Sequence, residues 1–387
     1  MHEEISRLHQ WLSGQEDAMV DLLRDVVNID SNSHDKQGVD AVGTRFRDFF
    51  QEHGIATRTL PLPAAGDVLI AEIGPVSATD RPIMMLGHRD TVFPTGEVAQ
   101  RPFSIVDGVA YGPGVCDMKG GLVQNAFVLA AFHHTQVNPP SLMVMMTSDE
   151  EIGSPSCREI IIEYGRKARA VFNSEPARPT GNVVTGRRGG MMLELVIEGR
   201  SAHSGGNFTE GISAIGELAG KITALHALSD VEAGYTVNVG VVEGGQSHNT
   251  VAPSARALID CRFVTVAQRD ALKADIDEIV RRSFVPGTRS RLEILARFDP
   301  MEPNEGTREM LEIYRQSAAD LGMSVEGEFS GGCADSGFTH NAGCPSLCGT
   351  GPMGWKAHTA EEYLRLDSLV PRAQLLAGAV WRRAQSN

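Results

Sequence analysis

The stretch LMVMMTSDEEIGS, Leu142–Ser154, joins a short apolar run to three consecutive acids and a glycine. An apolar run of this length, closed by a turn, predicts a strand buried on both faces, with its acids just past the carboxyl end. Two other segments share the pattern: IMML precedes GHRDT over Ile83–Thr91, and AVFN precedes SEP over Ala170–Pro176. A further apolar run covers Val68–Ile73, and helical stretches at Gly121–Phe132 and Pro155–Tyr164 lie between the strands. Upstream, apolar residues at helical spacing (Ile5, Leu8, Leu12, Met19, Leu22, Leu23, Val26) mark Glu3–Val27, and Val39–His53 repeats the pattern. Strands alternating with helices predict an α/β domain with a mixed, mostly parallel sheet covered by helices. In such sheets sites form beyond the carboxyl ends of strands, where these acids and His88 fall.

From about Val183 the texture changes. A strand at MMLELVIEG, a helix at Gly211–Ala227, strands at Tyr235–Val242 and Ala255–Val264, a helix at Gln268–Ser283 and a strand at Arg291–Ala296 follow in order. That order predicts an inserted two-layer α+β unit, βαββαβ, over 183–296. The catalytic domain is then discontinuous, 1–182 and 297–387, and closes with helices at Thr307–Leu321 and Leu366–Arg383. A chain of 387 residues suits two such domains.

Composition narrows the function. Hydrophobic residues make up 42% and charged residues 22%, as in soluble globular proteins, and the formal net charge is -14. Such a surface repels phosphate backbones and anionic lipid, which argues against nucleic-acid and membrane partners and for a small-molecule substrate. The opening MHEEISRLHQWLSGQEDAM has acids where a signal peptide needs basic residues, and no run approaches the roughly 18 apolar residues of a membrane span. The six cysteines (116, 157, 261, 333, 344, 348) form no CxxC pair and read as free thiols, so a reduced, cytoplasmic location is expected.

The chemistry lies in glycine-flanked polar residues. In GHRDT, His88 and Asp90 sit at i and i+2 of an extended segment and point the same way, so the carboxylate can orient the imidazole. Asp117 lies in AYGPGVCDMKGG, where glycines and a proline prescribe a tight backbone path; it either caps the following helix or bridges two ions. Glu150 and Glu151 are adjacent, so their side chains diverge, and one can bind metal while the other faces substrate. Glu175 ends a strand before Pro176, and His358 stands in GWKAHTAEEY. Two imidazoles with several carboxylates suit a pair of divalent ions, zinc by default, with manganese or cobalt compatible. In the inserted unit, His203 (GRSAHSGG), Asn249 (HNTVAP) and Arg262 (DCRF) are polar groups suited to a carbonyl oxygen or a carboxylate.

These motifs, in this order from about residue 10 to 385, resemble the aminoacylase, glutamate carboxypeptidase and succinyl-diaminopimelate desuccinylase family of co-catalytic metallopeptidases. Bacterial glutamate carboxypeptidases that cleave folates are the nearest in pattern. The resemblance implies that His88 and Glu175 complete one zinc site and Glu151 and His358 the other. Asp117 would bridge them, and a cis peptide bond after it is common in the family. Glu150 would be the general base and Asp90 the partner of His88, both catalytic. His203 would reach the active site of the neighbouring subunit in a homodimer formed through the inserted lid and dimerisation domain. Asn249 and Arg262 would contact substrate. One position departs from the folate-cleaving enzymes: Asp299 stands before Pro300 where an arginine is expected, and the nearest arginine is Arg297. The implied activity is hydrolysis of the amide bond of an N-acyl amino acid or small peptide. The alternatives are an N-acetyl or N-succinyl amino-acid deacylase, another small-molecule amidohydrolase, or a non-catalytic binding protein. The last would be expected to lose Glu150 or a ligand, and none is missing.

Overall fold

The computed structural model describes residues 2–74, 81–137 and 141–386. The chain divides into two compact units. The first comprises 1–186, 302–330 and 334–387; the second comprises 187–301 with 331–333.

The first unit is built on an eight-stranded mixed sheet. Its order is Ala56–Leu60, Val68–Ile73, Leu142–Thr147, Ile83–His88, Ala170–Asn173, Ser346–Cys348, Val183–Arg187, Gly327–Ser330. The four central strands pair in parallel with one another, and Val68–Ile73 on one side and Val183–Arg187 on the other join them by antiparallel pairs. The three expected central strands are wholly buried, as their near-continuous apolar sequence requires. The helix Gly120–Thr135 is buried around its circumference from Gly120 to Phe132 and packs against Glu3–Ser13, Glu16–Val27 and Leu369–Gln385. Arg158–Lys167 packs instead on Ser336–Asn341.

Strand register brings the site together. His88 pairs with Thr147, so these two parallel strands end level, and Leu86 pairs with Asn173, so the third ends two residues short of them. The residues that follow them, Glu150, Glu151 and Glu175, therefore emerge on the same edge as His88. A second, four-stranded sheet of very short strands (Ser104–Val106, Val109–Tyr111, Gly354–Trp355, Tyr363–Arg365) joins the segment before Asp117 to the segment after His358.

The second unit has the βαββαβ order. Strands Gly189–Glu198, Thr236–Gly244, Ser254–Phe263 and Arg289–Phe298 form one antiparallel sheet. Helices Ala214–His226 and Val266–Arg281 pack on it around a core of its own, which includes Leu193, Leu195, Leu218, Ile259 and Ile276. Thr265 and Gln268 form a capping box at the start of the second helix. Buried Lys221 reaches from the first helix to the carbonyls of Ile279, Val280 and Arg282 at the end of the second. Val183–Arg187, taken in the sequence as the opening of the inserted segment, is a strand of the large sheet, and the division of the chain falls at 186/187.

Candidate metal centre

All seven residues read from the sequence as metal ligands or their immediate partners lie in the first unit: His88, Asp90, Asp117, Glu150, Glu151, Glu175 and His358. His203, Asn249 and Arg262 lie in the second.

His88 is buried at the end of its strand. Its Nδ1 lies 3.0 Å from the main-chain carbonyl of Asp90 and 3.3 Å from the Asp90 carboxylate, so the carbonyl is the nearer partner. A carbonyl only accepts, so Nδ1 carries a proton, and Nε2 is directed outward. That Nε2 lies 3.3 Å from Asp117 Oδ1, 3.7 Å from Glu175 Oε1 and 3.8 Å from Glu150 Oε2. On the other side, His358 Nε2 lies 3.3 Å from Asp117 Oδ2 and 3.1 Å from Glu151 Oε2. The two oxygens of Asp117 therefore face two different imidazoles. Asp117 does not cap the next helix, which begins at Gly120 without a side-chain cap. The Asp117–Met118 peptide bond is cis.

The electrostatics are those of an array short of positive charge. Burial, then the charges of Glu175, Asp335 and Glu151, hold Glu150 well above the usual carboxyl range, although His88 opposes this. Burial and the Asp117 charge raise Glu151 to about 7. Asp117 is buried too, but the close approach of His358 and His88 to its oxygens holds it below the ordinary carboxyl value. Asp117 and Glu151 lift His358 to about 10. The array could hold a divalent ion by a separate, geometric criterion. His88 Nε2 and Asp117 Oδ1 are buried without a hydrogen-bond partner, an arrangement that native interiors avoid unless a ligand completes it. Ligand atoms of His88, Asp117 and Glu151 lie within 4.8 Å of one another. Nitrogen and carboxylate oxygen donors suit zinc and its neighbours.

Two acids that sequence reasoning passed over complete the setting. Asp335, buried, accepts from Thr147 Oγ1 at 3.2 Å and from Ser154 Oγ, so it brackets the turn that carries Glu150 and Glu151. Burial pushes it up to about 7. Glu362, also buried, accepts the backbone N–H groups of Gly114, Cys116 and Asp117. Both stand in glycine-flanked or acid-paired contexts, GGCADSG and HTAEEY, the same signature that marked the ligands.

In the second unit, His203 is exposed and its Nδ1 accepts from the backbone N–H of Gly205 and of Gly206, each at 3.1 Å. The proton of the neutral ring is thus on Nε2, which is left as a donor. Asn249 is exposed, and its Oδ1 accepts from Ser247. Arg262 makes a two-pronged pair with Asp260 at 2.7 and 2.8 Å and also reaches Cys333 Sγ at 3.0 Å. Asp299 accepts from Arg269 at 2.6 Å and lies 3.4 Å from Arg297.

Comparison with known proteins gives this arrangement a family. The profile of Peptidase family M20/M25/M40 matches residues 84–382. The chain belongs to the M20 family. Among curated relatives of this M20 protein, carboxypeptidase G2 of Pseudomonas sp. (strain RS-16) is 24% identical over 96% of this chain and 90% of its own. Succinyl-diaminopimelate desuccinylase of Bordetella parapertussis is 29% identical over 74% and 78%. Among solved structures, aminopeptidase PepT of Bacillus cereus has a TM-score of 0.76 at 20% identity, covering 96% of this chain and 99% of that one, a likeness of fold. The M20 chain is thus an enzyme of the metallopeptidase and amidohydrolase kind, and the fold expected from the resemblance is the one found.

Proposed function

We propose that the protein is a two-metal amidohydrolase that releases an amino acid from an N-acyl amino acid or short peptide. The observation that carries this reading is Asp117, whose two oxygens each lie 3.3 Å from a different histidine. A carboxylate so placed is suited to bridge two ions. His88 and Glu175 would hold one ion, Glu151 and His358 the other, with zinc the first choice and manganese or cobalt compatible. When bound, the ions would polarise the scissile carbonyl and make a water acidic enough to serve as nucleophile.

The chain's own residues supply the proton traffic. Glu150 takes the proton of the attacking water and returns it to the leaving amine. A carboxylate of raised proton affinity suits both halves of that task, and burial raises that of Glu150. Asp90 fixes His88 in the tautomer that presents Nε2. His203 donates from Nε2 to the developing oxyanion, acting in a neighbouring subunit of a homodimer made through the second unit. Asn249 and Arg262 contact substrate, although Arg262 would do so with its fork already on Asp260. All six cysteines are free, which suits the cytoplasm.

Among substrates, carboxypeptidase-like cleavage is the leading reading. Deacylation of an N-acetyl or N-succinyl amino acid is the second, favoured by Asp299, an anion in an ion pair with Arg269 where the folate-cleaving pattern has an arginine. A hydrolysis panel that varies the acyl group and the C-terminal residue separately tests both. Activity that follows the C-terminal residue supports the carboxypeptidase; activity that follows the acyl group supports the deacylase. Chelation should abolish turnover and added zinc should restore it; turnover indifferent to chelator would remove the metal mechanism altogether.

A further inference from the structure

Glu362 stands four residues past His358, and the two belong to one hairpin. Trp355 pairs with Tyr363 across it, and residues 356–362 form its connection. His358 sits in that connection with φ 65°, in the left-handed region, so its position depends on what holds the hairpin ends. On its other side, Tyr363 pairs with Tyr111, the last residue of the strand leading into the loop 112–117. Of its own, that loop has main-chain bonds from Val115 N–H to the Gly112 carbonyl at 3.2 Å and from Lys119 N–H to the Gly114 carbonyl at 2.9 Å, and Gly112 and Gly114 have φ of 149° and 74°.

The Glu362 carboxylate adds to these bonds. One oxygen accepts the N–H of Gly114 at 3.0 Å, and the other accepts those of Cys116 at 2.8 Å and Asp117 at 2.9 Å. The residue is fully buried, so no water replaces these bonds. Charge-assisted bonds of this kind are the strong ones, and here three converge on a single side chain. We infer that Glu362 is a positioning residue for the metal pair: it locks the bridging Asp117 and the ligand His358 into one rigid piece, so that the second ion finds its ligands already assembled. The inference rests on the two-metal reading above. His88 and Glu175, by contrast, are placed by the strand ends of the large sheet and do not depend on Glu362.

The test is calorimetric titration of metal-free protein with zinc, accompanied by thermal melting, for wild type, Glu362→Gln, Glu362→Asp and His358→Ala. Glutamine keeps the shape of the side chain but offers one acceptor oxygen and turns an NH2 group toward an amide N–H. Wild type should bind two ions. Glu362→Gln should bind the ion held by Glu151 and His358 about 10–100-fold more weakly, the usual loss when a ligand's support is removed, and the other ion, which shares only Asp117, with a smaller loss. His358→Ala should show the same asymmetry, and Glu362→Asp should recover part of the affinity. A wild type that binds only one ion would sink the two-metal reading itself. Two unchanged sites in Glu362→Gln would overturn the positioning role, as would an equal loss at both sites. Should the glutamine variant not fold, the aspartate variant decides by the same asymmetry.

Discussion

Both oxygens of Asp90 are taken up by the turn opposite: Glu150 N–H donates to one at 3.2 Å, Glu151 N–H to the other at 3.1 Å, and Ser33 Oγ adds a third bond at 2.6 Å. With the backbone pinned at two successive residues, the two glutamates must leave it in different directions. Glu150 goes toward His88 and Glu151 toward His358. Their substitutions should therefore separate. Glu150→Gln is expected to retain its metal while turnover falls roughly 10²–10⁴-fold, the usual worth of a general acid–base. Glu151→Gln should weaken metal binding; metal analysis beside steady-state kinetics distinguishes the two, and a reversed pattern would exchange the roles. Side chains that act by their own chemistry were legible because their residue types are rare at strand ends. Asp335 and Glu362 were not, because they act on hydroxyls and backbone amides. Nothing in a residue's type reports which amides it will meet. Asp90 lies between these cases. It was expected to meet the imidazole with its carboxylate, yet its carbonyl is nearer, and the carboxylate is directed at the turn.

Among the elements, the buried strands declared themselves: Val68–Ile73, Leu142–Thr147 and Ala170–Asn173 are found within the expected bounds. Ala56–Leu60 and Val183–Arg187 escaped notice at five residues each, and the other strands that did are shorter. Ser104–Val106, Val109–Tyr111, Gly354–Trp355 and Tyr363–Arg365 have two or three residues each, too few for any alternation to show. Helix ends carry a pH effect of their own. His53 caps the helix Lys36–Glu52, and His134 lies in the last turn of Gly120–Thr135; their ring nitrogens are 2.7 Å apart. Phe49, Phe127 and Trp11 surround the pair, and Glu52 and His133 are the other ionisable groups that act on it. Burial first, then the charge of His134, lowers His53 below its ordinary 6.5. The unfolded chain therefore takes up this proton more readily than the native one. The stabilisation is complete above a pH of about 6.5 and is lost as pH falls below it. Burial lowers His9 and His340 likewise, so their part must be subtracted. Melting temperatures of His53→Gln and wild type across pH 7.5 to 5 should converge in the acid; parallel curves would mean that the pair contributes no proton linkage.

Over the whole molecule, the division of labour proposed between the units has a genetic test. Every proposed metal ligand lies in the first unit and His203 lies in the second. If His203 serves the neighbouring subunit, inactive His203→Ala chains mixed with inactive Glu150→Gln chains should regain activity. Equal amounts make about half the dimers mixed, each with one intact site of two, so about a quarter of wild-type activity should return. No recovery after verified subunit exchange would confine His203 to its own chain or remove it from the reaction. The arrangement of the first unit also has a consequence in time. His88 and His358 are separated by 270 positions, and the second unit, with its separate core, is made between them. At a synthesis rate of about 5–20 residues per second, a nascent chain carries His88 for roughly 15–50 s, and Glu175 for roughly 10–40 s, before His358 exists. Through that interval the ribosome-bound chain has His88 and the carboxylates proposed to join it, but neither His358 nor the Glu362 that orders the loop at Asp117. On the two-metal proposal, cation capture would be a late step of biogenesis, and newly made, metal-poor enzyme would be the species on which the supply of divalent ions acts.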